Sequence, residues 1–250
     1  MPTNLVESKS LAENRKGLSL AAIILFAWLG SLVMGIKLDL GSCHPILVAL
    51  IVTIKAFLHT GLFVVAHDSM HNSLLAGKPE ANRWIGSLVL FLYAGIAFDL
   101  CQRNHKLHHQ FPESKHDPDF SPNSDTNIVK WYANFIGNYI NTSQLMRLMI
   151  GWLMIYGLAS MIDESPIDNM LTFCVVPLVL SSLQLFIVGT WMPHRRGKNG
   201  SSSATPRSLS LNPIVSFAAC YHFSYHREHH ESPSTPWFEL PKLNLAKKAV

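Results

Sequence analysis

The residues that decide the fold are ILVALIVTIKAFLHTGLFVVA at 46–66, followed at once by His67-Asp-Ser-Met-His71. The run is broken only by Lys55 and His59, and it is long enough to cross a hydrocarbon core of roughly 30 Å. A spacing of four puts two side chains on one face of a helix. His67 and His71, delivered at the end of the span, can therefore address one centre. Upstream, 18–36 is a second apolar run with no charge and no small-residue cleavage site after it, which predicts a retained span rather than a removed signal peptide. Downstream, 145–162 and 170–193 predict two more. Residues 84–98 form a shorter apolar stretch, a length typical of an interfacial or re-entrant piece. The expected fold is all-α and integral to a membrane: four transmembrane helices, one re-entrant or interfacial helix and a histidine-rich cap, in a single domain over 1–250.

Composition supports this reading. Charged residues make up 14% of the 250 and mean hydropathy is +0.20, against roughly 25% charged in ordinary soluble domains. Disorder and collagen-like repeats are excluded. A formal net charge of +4, scattered along the chain, is no footprint for nucleic acid. Cys43, Cys101, Cys174 and Cys220 form no CxxC pair, which argues against a disulfide scaffold or a thiolate metal site.

With four spans both termini share one face, and all of the 20 Lys+Arg except Lys37 and the mid-span Lys55 fall on it or within its loops. The positive-inside rule makes that face cytoplasmic. A crossing at 84–98 would divide the basic residues between the two faces. Lys55 marks function, snorkelling or an inward polar partner, because a charge near the bilayer centre is costly. The stretches 116–122 and 197–206 read as turns and loop. Asn141-Thr-Ser and Asn199-Gly-Ser fit the glycosylation pattern but lie on the cytoplasmic side and read as chance matches.

The 13 histidines carry the chemistry. Besides His67-Asp-Ser-Met-His71 there are His105-Lys-Leu-His108-His109 and His226-Arg-Glu-His229-His230. His105 can meet one centre with His108 and His109, as can His226 with His229 and His230. Within each adjacent pair the second ring points about 100° away, which lets the pair serve two neighbouring ions. His194 follows the last span directly, so all these groups converge on one face. His44, His59 and His116 read as isolated surface or hydrogen-bonded residues. Imidazole suits zinc, copper, iron and nickel, but structural zinc takes four ligands and favours thiolate. Eight or more histidines point to two ions, and two redox-active irons fit best. Ligand histidines commonly donate their second N–H to a carboxylate, for which Asp68, Asp117, Asp119 and Glu228 are the candidates.

The three boxes in this order resemble the membrane fatty-acid desaturase and hydroxylase superfamily. Four flanking stretches resemble the bacterial-type β-carotene ketolases within it: 57–71; Asp117-Pro-Asp-Phe120; Gly189-Thr-Trp-Met-Pro-His-Arg195; and 221–230 with Pro236-Trp-Phe-Glu-Leu-Pro241 after it. The chain departs from that pattern at Asn72-Ser73, where a Gly-Ser pair is expected, and at Ser69, where Ala is usual. Neither change touches an expected ligand. The resemblance implies a non-haem di-iron centre, O2 as oxidant, electrons from a ferredoxin-type donor, and a carotenoid substrate drawn from the lipid bilayer. It implies His194 as a further ligand, with His222 the tenth candidate, and no catalytic residue beyond the ligands.

The implied reaction is ketone formation at C4 and C4′ of the β-ionone rings of β-carotene, giving echinenone and canthaxanthin. Two hydroxylations of one allylic carbon are followed by loss of water. Acid–base catalysis alone cannot do this, because such a C–H bond has no proton that His, Asp or Glu removes near neutral pH. Phe63, Tyr93, Phe98, Trp131, Phe223, Trp237 and Phe238 are candidates to line the ring pocket. The boxes alone also permit a carotenoid C3 hydroxylase, a fatty-acyl desaturase or hydroxylase, or a membrane metal-binding or transport protein.

Overall fold

The computed structural model describes residues 3–120, 127–161, 166–195 and 206–248, with side chains from Leu11 to Lys247. The regular elements among them are all helical: α1 (Thr3–Ile36), α2 (Pro45–Met70), α3 (Pro79–Ala94), α4 (Phe98–Gln110), α5 (Ile128–Gly137), α6 (Thr142–Ala159), α7 (Pro166–His194), α8 (Pro213–Cys220), α9 (His226–Glu231) and α10 (Leu240–Lys248), with short 3₁₀ turns between. Helix α7 carries two π-helical segments, Leu171–Val175 and Leu185–Trp191. Of the expected turns and loop at 116–122 and 197–206, residues 121–122 and 197–205, with the expected Asn199 motif, lie outside the described residues.

Helix α2 organises the rest. It packs against α1, α3 and α7, and its second half, including Leu62, Val64, Val65 and Ala66, is buried on every side. That accounts for the all-round apolar character of the second half of the run at 46–66; in the first half Ile46, Leu47, Leu50 and Ile54 are exposed, an apolar flank suited to lipid. Pro45 sits in its first turn, and His44 accepts from the Ile46 N–H through Nδ1. At the other end Asn72 takes a left-handed φ of 55°, a conformation Gly or Asn reaches at least cost. The Asn72 departure from the resembled pattern thus falls at a chain reversal that Asn can make.

Among the described residues three helices are long and apolar enough to cross a membrane: Leu11–Ile36 within α1, then α2 and α7. Helices α3 and α4 pass the same test only as a pair, bent by 98°. The bend falls at Gly95, φ 67°, where a Cβ would meet Arg147 Cβ and the Gln144 carbonyl at 3.1 Å. The expected interfacial piece 84–98 is thus most of one helix, a sharp turn and the start of the next. The expected crossing at 145–162 corresponds to α6, which has 18 residues and falls outside that set of three. Its Met149, Leu153 and Met154 are more than half exposed, an apolar flank suited to lipid. Asn141, one of the chance glycosylation matches, caps α6 by accepting from the Gln144 N–H. Lys55 does not snorkel. It is buried, with Nζ 3.4 Å from Ser31 Oγ and 5.2 Å from the centre of the Trp28 ring.

Candidate metal centre

Four helix termini bring the histidines together. His67 lies in the last turn of α2 and His71 caps it. His105, His108 and His109 occupy the last turns of α4. His194 is the last residue of α7, three residues past the second π segment, a wide-turned irregularity that often marks functional sites. His226, His229 and His230 make up half of the short helix α9.

The rings form two groups. His67, His71, His105, His109 and His229 make one, and His108, His194, His226 and His230 the other; within each group one nitrogen per ring lies within 4.8 Å of all the rest. In both HxxHH helices the residues four apart share a group, while the middle histidine crosses to the other. Each adjacent pair, His108-His109 and His229-His230, is thus split between the groups.

The nitrogens that converge are Nε2 throughout. In the five-membered group His71 and His105 approach to 2.7 Å, His109 and His229 to 2.8 Å, and His67 and His229 to 3.1 Å. In the four-membered group His194 and His226 approach to 2.8 Å, and His230 lies 3.0 Å from both His108 and His226. A neutral imidazole has one N–H, so His109 Nε2, facing both His105 and His229, cannot satisfy such a cluster by hydrogen bonding. Ligands held at about 2.1 Å from one ion and at right angles to each other would be about 3 Å apart. The observed spacings fit that donor set.

Protonation points the same way. Burial, reinforced by the neighbouring imidazoles, holds His105, His226, His229 and His230 well below the usual histidine range. Burial pushes His109 down to about 2 and His71 to about 4. They are therefore neutral, the form that binds metal. His108 is the exception. Burial opposes its protonation, but its hydrogen bond to Asp117 and the charge of Asp119 outweigh burial and raise it.

The four expected carboxylates have different places. Asp117 accepts from His108 Nδ1 at 2.9 Å and 3.1 Å, and also from the backbone N–H groups of Glu113 and Asp119. Asp119 lies 4.0 Å from His108 Nδ1 and accepts from Tyr139 Oη at 2.6 Å; burial raises its carboxyl to about 6. Asp68 lies 3.4 Å from His67 Nδ1 and accepts from the Trp237 N–H at 3.0 Å. Glu228 touches no ligand ring. It accepts from Ser208 and Asn244 and ties α9 to its neighbours. Glu113, which sequence reasoning did not single out, lies 3.5 Å from His194 Nδ1.

His222 lies outside both groups. The chain reverses at Tyr221 and His222, both at left-handed φ (44° and 66°), so no helix continues from His222 to His226. Its Nδ1 instead lies 3.2 Å from Ser216 Oγ, and its ring stacks on Tyr225.

A cavity of about 270 Å³ reaches His67, His105, His108, His226 and His229 and is otherwise mainly apolar. Of the expected ring-pocket aromatics, Phe63, Tyr93 and Phe223 line it, joined by Tyr132, Phe135 and Tyr139 from α5 and the loop after it. The other four lie elsewhere. Phe98 packs where a Gly86 side chain would be, and Trp131 donates to the Asp119 carbonyl. Trp237 packs on Tyr221, and Phe238 lies under Lys16. The cavity wall includes Ile140, Leu145 and Val179, each more than 40% exposed, so it opens among apolar surface residues.

Comparison with known proteins places these features. The chain matches the Fatty acid desaturase family over residues 43–162 and 143–249. It is 35% identical over 227 residues to a Beta-carotene ketolase of Paracoccus sp. (strain PC1), covering 90% of each chain. It is 37% identical over 191 residues to a Zeaxanthin 4-ketolase of Chlamydomonas reinhardtii, 74% of this chain and 41% of that one. It is 31% identical over 208 residues to a Beta-carotene 4-ketolase 3 of Haematococcus lacustris, 80% of this chain and 63% of that one.

Proposed function

Because the chain belongs to the fatty acid desaturase family and, within it, to the β-carotene ketolases, we propose that it is a membrane oxygenase that converts C4 of carotenoid β-ionone rings to a ketone. The two histidine groups hold one iron each: His67, His71, His105, His109 and His229 the first, and His108, His194, His226 and His230 the second. Once bound, the irons supply what imidazoles and carboxylates lack, the oxidation of an allylic C–H bond with dioxygen and electrons from a ferredoxin-type donor.

The chain's own residues hold, orient and exclude. Phe63, Tyr93, Phe135 and Phe223 form an apolar seat for the ring against the imidazoles. A placement error of 1 Å can cost about 100-fold in rate, so the shape of this seat decides between C4 and its neighbour C3. Asp117 fixes the tautomer of His108: a carboxylate only accepts, so Nδ1 carries the proton and Nε2 is left with its lone pair. The topology that follows is four spans, with α6 as the third, α3 and α4 as a re-entrant pair, and both termini and the irons on the cytoplasmic side.

The observation that carries this reading is a mainly apolar cavity that joins exposed Ile140, Leu145 and Val179 to the imidazoles of both groups. It suits a hydrocarbon that arrives from lipid. Expression in a host that makes β-carotene, followed by pigment identification, tests the proposal. Ketones at C4 are expected. Zeaxanthin alone, or unchanged carotene with altered acyl chains, would defeat it.

A further inference from the structure

Lys55 has no part in the chemistry above, yet it is one of the largest fully buried side chains, at 1% exposure. It lines a second cavity, about 100 Å³, together with Trp28, His59, Trp152 and Cys174. His59 is already satisfied: Trp28 Nε1 donates to its Nδ1 at 2.9 Å, and its Nε2 donates to the Tyr93 carbonyl at 2.8 Å. Among the described residues the Lys55 ammonium has the 3.4 Å contact with Ser31 Oγ, the Trp28 face and the neighbouring Cys174 thiol, and Arg147 lines the same cavity. No carboxylate lines this cavity among the described residues. A charge so placed in a membrane protein is costly and usually serves a ligand or a pathway.

Position suggests the ligand. Tyr93, Leu148 and Leu178 line both cavities and form the partition between them. Lys55 lies twelve residues before His67 in α2, about 18 Å of helix rise. Its side chain leans toward the helix N-terminus, further from the histidines. Cys174 lies twenty residues before His194 in α7, roughly 30 Å away by the same measure. A carotenoid is about as long as the hydrocarbon core is thick, roughly 30 Å. With one ring against the imidazoles, the other ring reaches the depth of Cys174, toward which the Lys55 side chain leans beyond its own 18 Å.

We infer that the second cavity seats the far ring of the carotenoid, and that Lys55 Nζ donates a hydrogen bond to a ketone oxygen on that ring. Rotation of Leu148 and Leu178 joins the two cavities when the polyene enters. The protein therefore prefers a monoketone, its own first product, over the hydrocarbon, and draws it back for oxidation of the second ring. This rests on the ketolase reading above.

The test is binding, so it does not depend on turnover. The C4 ketone is conjugated with the polyene, and an ammonium donor at its oxygen moves the visible absorption to longer wavelength. Purified protein is titrated with the monoketone and with β-carotene. Wild type is expected to bind the monoketone about tenfold more tightly and to red-shift its band. In Lys55→Met both the preference and the shift are lost, and Lys55→Gln retains part of the preference. Equal affinities and an unshifted band with the wild-type protein would overturn the inference, whatever the variants do. Failure of the parent reading is distinct, because there the wild type forms no ketone from β-carotene at all.

Discussion

Replacing Asp117 with Asn should weaken one metal site and leave the other. The Asp117 carboxylate is buried and takes four contacts: Oδ1 accepts from His108 Nδ1 and the Asp119 N–H, and Oδ2 from the Glu113 N–H with a second approach from His108. Asparagine keeps one acceptor. Once its oxygen is turned to His108, its NH2 faces the Glu113 N–H, donor against donor, at a cost of about 1–3 kcal/mol. Loss of such a carboxylate behind a ligand histidine lowers metal affinity about 10–100-fold, or about 1.4–2.8 kcal/mol. His108 belongs to the four-membered group alone, so the five-membered group should keep its ion. The assay is metal content of purified protein after dialysis against graded chelator. The variant should lose one ion per chain at chelator levels about 10–100-fold below those the wild type withstands. Release of both ions together, or retention equal to wild type, would refute the assignment of two separate centres.

Two further outcomes follow. In metal-free protein His71, His105, His109, His226, His229 and His230 all have folded-state pKa values below the ordinary 6.5. The unfolded chain therefore takes up protons at these six first as pH falls, and stability should drop below about pH 6.5, with His108 and Asp119, both raised by folding, opposing; thermal unfolding between pH 8 and 5 checks this, and a flat profile would contradict it. His222→Ala should keep both ions where His194→Ala loses one, since His222 bonds to Ser216 instead; equal metal loss in the two variants would return His222 to the ligand set.

Much of this was legible in the residues. The run at 46–66 could be read as a span because it is apolar on all sides; burial among three helices is the physical reason in its second half, and the exposed Ile46, Leu47, Leu50 and Ile54 suit lipid in its first. The shortness of 84–98 foretold that it would not stand as one long helix. The division of each HH pair between two groups of rings followed from helix geometry. Which histidines would share a centre did not, because residues three and four apart lie on nearly the same face; the placement of α4 against α9 sends His108 and His229 across. His222 misled because a spacing of four implies a helix, and the left-handed turn at 221–222 removes it. Glu228 sits inside the third box, yet its carboxylate points to Ser208 and Asn244. Helix α5 escaped notice because ten residues of mixed polarity give no span signal, although Tyr132, Phe135 and Tyr139 recur at helical spacing.

Two iron sites in this protein are tested by the metal it holds as purified from a membrane. Two irons per chain are expected, falling to one when His194 or His71 is replaced by Ala. A single ion per chain, or zinc in place of iron with ketone formation intact, would contradict this.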